Sequence, residues 1–98
     1  MLKIKDNVDL KELEKYGYWI VNNIATKDIK KYFDDCGGLI TISIKIKYKM
    51  IFLVKKINSY NSVTEISLKF GFFKRRKYLK ELRKDGLVEK VEKWLKQY

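Results

Sequence analysis

Between residues 39 and 54 the chain reads LITISIKIKYKMIFLV, and this run restricts the fold more than any other. Ile40, Ile42, Ile44, Ile46, Tyr48 and Met50 alternate with Thr41, Ser43, Lys45, Lys47 and Lys49. A period of two belongs to a strand, whose successive side chains face opposite ways, so one face is buried and the other is wet and basic. From Met50 to Val54 the alternation gives way to a continuous apolar run, where the segment bends or passes into a helix. With three lysines inside it, the run is not a membrane span. A strand needs partners, and YWIVNNI (residues 18–24) and LKIK (2–5) are the candidates. The basic face reads as a solvated sheet surface in preference to a nucleic-acid groove.

Helix signals surround this strand. Asp9 precedes Leu10, Leu13 and Tyr16 and suits an N-cap, with Gly17 as the stop. Thr26 caps a second expected helix over 27–36, with Asp28 in its first turn, Ile29, Tyr32 and Phe33 on its apolar stripe, and Gly37-Gly38 after it. KKINSYN (55–61) reads as a polar linker. Ser62 and Glu65 then have capping-box spacing, and Val63, Ile66 and Phe70 form an apolar stripe before Gly71. A further helix follows Gly71, with Phe72, Leu79 and Leu82 inside and Gly86 beyond its end. The tail repeats an apolar face at Val88, Val91, Trp94, Leu95 and Tyr98, which predicts an amphipathic helix over 88–98 suited to packing on the domain or pairing with a second copy. The alternative there is a lone strand over 87–91.

Charge is distributed unevenly. The net charge is +11, which attracts polyanions. Residues 1–49 hold ten basic and seven acidic residues, a net of +3, whereas 50–98 hold thirteen and five, a net of +8. An A+T-rich genome enriches lysine and contributes to the excess, but all three arginines, Arg75, Arg76 and Arg83, fall in the helix after Gly71. Arginine forks onto phosphate and guanine edges. Lys69, Lys74, Arg75, Arg76, Lys77, Lys80, Arg83 and Lys84 are therefore the candidate nucleic-acid-binding residues, set against the plainer reading of a solvated helix face.

The string VTEISLKFGF…YLKELRKDGLVEKV carries a resemblance. Thr64, Glu65, Ile66, Ser67, Phe70 and Gly71, then Leu79, Leu82, Gly86, Leu87 and Val88, resemble the core of winged helix-turn-helix regulators, with a shortened turn, Arg75 at an apolar position and a truncated wing. The resemblance implies duplex DNA as partner, with 74–77 at the major groove and Lys69, Lys80, Arg83 and Lys84 on phosphates. The two chain ends, KIKDNVDLKELEKYGY and DGLVEKVEK, also resemble small phage and prophage proteins of low-G+C Gram-positive bacteria. That implies a viral or mobile-element setting and no particular chemistry.

Residues for catalysis are scarce. With no histidine, neither Ser–His nor Cys–His chemistry is available. The single Cys36 forms no internal disulfide or thiolate zinc site and reads as a half-buried helix-end residue. Asp34-Asp35 point apart on a helix, and Asp6 with Asp9 lacks further ligands. The aromatics read mostly as core at helical or strand spacing; base stacking needs them exposed beside lysines, and Tyr48, Tyr60 and Tyr78 are the candidates for it. No apolar leader follows Lys3, so a cytoplasmic protein is expected, in a host cell if the chain is viral.

The expectation is thus a single α+β domain over 1–98: a small antiparallel sheet with helices packed on it, ending in a helix-turn-helix-like pair and an amphipathic C-terminal helix. Residues 1–54 form the strand and helix part and 55–98 the helix-turn-helix-like part. The expected function is non-enzymatic binding of nucleic acid, duplex DNA foremost, by a homodimer joined through 88–98, without metal, cofactor or membrane. The alternative is a phage-encoded protein that inhibits a host protein or a nucleic-acid-guided defence complex.

Overall fold

A computed structural model describes residues 2–90. It corrects the expected fold class: strands take 51% and helices 21% of these residues, and the sheet curls into a half-barrel. In order come β1 (Leu2–Ile4), a 3-10 helix (Leu10–Tyr16), β2 (Trp19–Val21), β3 (Ile24–Phe33), β4 (Leu39–Lys47), β5 (Met50–Ser59) and β6 (Ser62–Leu68). Helices α1 (Phe72–Tyr78) and α2 (Lys80–Lys84) and strand β7 (Val88–Lys90) follow. All pairings are antiparallel, in the order β2-β3-β4-β5-β1-β7. β6 lies beside the C-terminal part of β5, while β1 meets the same edge at Met50.

The alternating run is two strands rather than one. It reverses at Tyr48 and Lys49, which both take the left-handed conformation (φ +53° and +68°), as a two-residue hairpin turn requires. The polar linker 55–61 is instead the continuation of β5 and its turn into β6. Asn22 and Asn23 make the corresponding left-handed turn between β2 and β3, with a residue type that tolerates it well.

Two expected helices are strands. The 27–36 segment lies mostly in β3, paired along its length with β4. Its register shifts between Asp28 and Lys30. This bulge at Ile29 breaks the period of two and makes the apolar spacing look helical. The 62–70 segment forms β6, with Ser62 opposite Ser59 and Glu65 opposite Lys56. No capping box forms there: Glu65 turns to Lys45, 2.8 Å away. The helix-turn-helix-like pair is therefore absent, because its first member is a strand, and Gly71 (φ −74°, ψ 173°) is the extended residue that starts α1.

Other expectations hold. Asp9 and Glu12 form a capping box on the 3-10 helix, and Gly17 closes it at φ +90°. Gly86 (φ +72°) follows α2. The expected helix over 88–98 begins instead as β7, antiparallel to β1, and its remainder lies outside the described residues.

One face of the sheet is apolar where the helices cover it. Ala25, Ile46 and Ile51 stand in register on β3, β4 and β5, and Ile44 and Leu53 form the next row. They pack with Ile4, Val8, Leu13, Tyr18, Leu79 and Leu82 in one buried cluster. The core thus fastens α1 and α2 to the sheet through only a few side chains, leaving most of the helical surface outside.

Candidate nucleic-acid interface

The α1–α2 segment is nearly continuous. Leu79 N–H bonds to the Arg75 carbonyl and Arg83 N–H to the Leu79 carbonyl, so the helical ladder runs through the junction at Leu79. Its inner side is set by Leu79 and Leu82, both buried, with Arg75 and Tyr78 half-buried beside them. At 100° per residue this leaves Phe73, Lys77, Lys80 and Lys84 as an outward stripe, with Arg76 and Arg83 along one flank. All six are exposed.

Residues 69–84 contain eight basic side chains and one carboxylate, Glu81. Among the described residues the ion pairs are Lys3–Asp6, Lys3–Glu89, Lys31–Asp28 and Lys45–Glu65, and none neutralises a cation of this segment. An array of unpaired cations raises the local concentration of anions, phosphate chains above all.

The structure separates the candidate residues. Lys74, Arg76, Lys77, Lys80, Arg83 and Lys84 share the exposed helical surface, and Lys69 is exposed in the connection leading to it. Arg75 is different. It lies half-buried at the position where an inward apolar residue belongs, and its Nε is sealed from solvent with no hydrogen-bond partner among the described residues. It borders clefts lined by Leu2, Phe70 and Phe72.

Two aromatic residues stand apart from the sequence reading, which placed Phe72 inside and gave Phe73 no role. Phe72 and Phe73 are 60% and 82% exposed, their rings meeting edge to face at 5.7 Å. The Arg76 guanidinium lies 5.5 Å from the Phe72 ring centre. Phe72 is thus not an inward residue. The usable signal was Leu79 with Leu82, whose side of the helix excludes Phe73; Phe72, two turns before Leu79, falls near that side by helical spacing, and its exposure at the first residue of α1 was not legible from it. Of the expected stacking aromatics, Tyr48 and Tyr60 are fully or almost fully exposed at hairpin tips, away from the helix in the chain, whereas Tyr78 lines a hollow beside it.

The polar sheet face is not a uniform basic surface. Lys45 is engaged by Glu65 at 2.8 Å, and the Ser43 hydroxyl donates to Asp28 at 2.6 Å. Side chains from β2, at one margin, and β6, at the other, border one depression of about 450 Å³, as expected of a curled sheet.

The remaining candidates have structural duties. Asp34 accepts hydrogen bonds from the backbone of Cys36 and Gly38 and holds the β3–β4 turn, where Cys36 is exposed. Asp6 pairs with Lys3, which lowers its pKa through a hydrogen bond and charge. Asp9 caps the 3-10 helix. Among the described residues no helix is long and apolar enough to cross a membrane. No family model, curated protein or solved structure matches this chain.

Proposed function

We propose that this chain binds nucleic acid, duplex DNA foremost, through the outer surface of α1–α2. The observation that carries the reading is the exposed stripe of Lys77, Lys80 and Lys84 with Arg76 and Arg83 beside it, which no ion pair neutralises among the described residues. A single exposed helix fits the major groove without a helix-turn-helix around it. Lysines then contact phosphates, and Arg76 is the side chain placed to fork onto a base edge or phosphate. The proposed setting, a small regulator of a phage or mobile element, rests on the resemblance of the chain ends.

Titration onto short duplexes across a salt series tests this. Four phosphate contacts give a slope of log affinity against log salt of about −4. The double substitution Arg76→Glu with Lys84→Glu should abolish binding and leave the thermal midpoint in place. Retained affinity in that protein would overturn the assignment.

A second reading is favoured by one feature. Phe72 and Phe73 offer an exposed aromatic pair flanked by arginine, residue types enriched at protein–protein interfaces. A protein that blocks a host target needs that target and binds naked duplex poorly, so the same titration separates the two.

A further inference from the structure

Beside the basic stripe, the 3-10 helix, the β2–β3 region and α1–α2 enclose a hollow of about 230 Å³. Tyr16, Tyr18 and Tyr78 contribute to its walls, and Lys27, Lys77 and Lys80 are also among the residues that line it. We propose that this hollow is a nucleotide site, in which the three lysines hold a phosphate and the Tyr18 hydroxyl donates to an acceptor of the base or sugar.

Tyr18 provides the strongest ground. Its side chain is only 4% exposed and borders the hollow. Its hydroxyl has no hydrogen-bond partner among the described residues, yet it is not among the polar atoms sealed from solvent. A polar group held at the edge of a core ordinarily has a partner, and the open side here is the hollow. Burial and the nearby Glu81 carboxylate push its pKa upward, so it stays a donor at every physiological pH. Tyr16 is already committed, donating to Asp85.

The lining also selects. Three cations face two carboxylates, and one of these, Asp28, is already engaged by Ser43 and Lys31. Glu81 has no ion-pair partner among the described residues and can accept from an exocyclic amine. Aromatic walls suit the face of a base. Lys77 and Lys80 belong to both the hollow and the stripe, so a strand lying on the helix brings its nucleotides to the opening. For a nucleotide carried in a strand, the inference rests on the nucleic-acid reading of the helix; for a free nucleotide it does not.

The test compares wild type, Tyr18→Phe and Lys84→Glu, since Lys84 belongs to the stripe alone. Each is titrated with a paired duplex, the same duplex carrying one unpaired nucleotide, adenosine and thymidine monophosphates, and inorganic phosphate. Wild type should prefer the unpaired nucleotide by roughly tenfold. Tyr18→Phe should reduce that preference by roughly fivefold with paired affinity unchanged, and Lys84→Glu should weaken both duplexes alike. Amide shifts around Tyr18 with a monophosphate identify the free source and support the site even if neither duplex binds. The site is overturned by equal affinity for both duplexes without such shifts, by a Tyr18→Phe protein that keeps full preference and shifts, or by identical shifts with inorganic phosphate.

Discussion

The phenol of Tyr16 donates a hydrogen bond to the carboxylate of Asp85, a residue 69 positions later. This contact joins the end of the 3-10 helix to the end of α2, and so ties the basic segment to the N-terminal part of the chain. The carboxylate holds the Tyr16 pKa above its ordinary 10.0, and burial does the same for Tyr18. A pKa raised in the folded state contributes stability that is complete below the unfolded value and is lost as pH rises through the folded value. Urea midpoints of wild type should therefore be lost as pH climbs above about 10. Tyr16→Phe should start from a lower midpoint and lose less of it over that range. Parallel curves for the two proteins would remove Tyr16 as a contributor.

Capping distinguishes two similar-looking sequence signals. Asp9 with Glu12 forms a capping box, whereas Ser62 with Glu65 has the same spacing inside a strand. Asp9→Ala should cost about 1 kcal/mol. Ser62→Ala should stay within about 0.5 kcal/mol of wild type, as an exposed strand-end change does. Chemical denaturation of the two variants reads this directly.

Adjacent arginines should respond oppositely. Arg75→Met keeps an aliphatic stem in the cleft and removes a sealed, unpartnered Nε, so stability should hold or rise by up to about 1 kcal/mol. Arg76→Met should leave the thermal midpoint unchanged and lower the salt slope of nucleic-acid binding by about 1. Binding loss confined to Arg75→Met would reverse the placement of the two side chains.

Tyr48 stands at φ +53° in the β4–β5 turn with its ring 85% exposed. A left-handed position costs a non-glycine residue about 1–2 kcal/mol, less for asparagine. Tyr48→Asn should therefore raise stability by about 0.5–1 kcal/mol. Lys49 is the worse target, because its ammonium bonds to the backbone carbonyls of Lys5, Asp6 and Val8.

The core position of α1–α2 rests on Leu79 and Leu82, both essentially unexposed. Leu82→Ala should cost about 2–5 kcal/mol. It should weaken nucleic-acid binding only in proportion to the unfolded fraction, which binding measured with and without a stabilising osmolyte separates from a direct contact.

Local features were legible where one residue's own chemistry decides the outcome. The period of two over Ile40–Ile46, the Asp9 cap, the glycine after each of two helical segments and the gathering of arginines after Gly71 all reached the structure as read. The site was legible as a list of cations, yet not as a surface. Arg75 and Arg76 are chemically identical, and only the packing of Leu79 and Leu82 against the sheet turns one inward and the other outward.

Pairing was what the sequence by itself left undecided. The spacing of Ile29, Tyr32 and Phe33 in the expected helix over 27–36 fits a helix or a bulged strand, and the long register of β3 with β4 selects the strand. Val63, Ile66 and Phe70 likewise suit a helix until β5 offers β6 its free edge, along which all seven residues of β6 stand in register in one ladder. Glu65 completes the choice by reaching Lys45, twenty residues away, in place of its own helix start. Charge, caps and alternation are properties of neighbouring residues and travel with the sequence. Strand partners, the inner side of a surface helix and the hollow at Tyr18 depend on contacts between distant segments, and tertiary packing alone decides them.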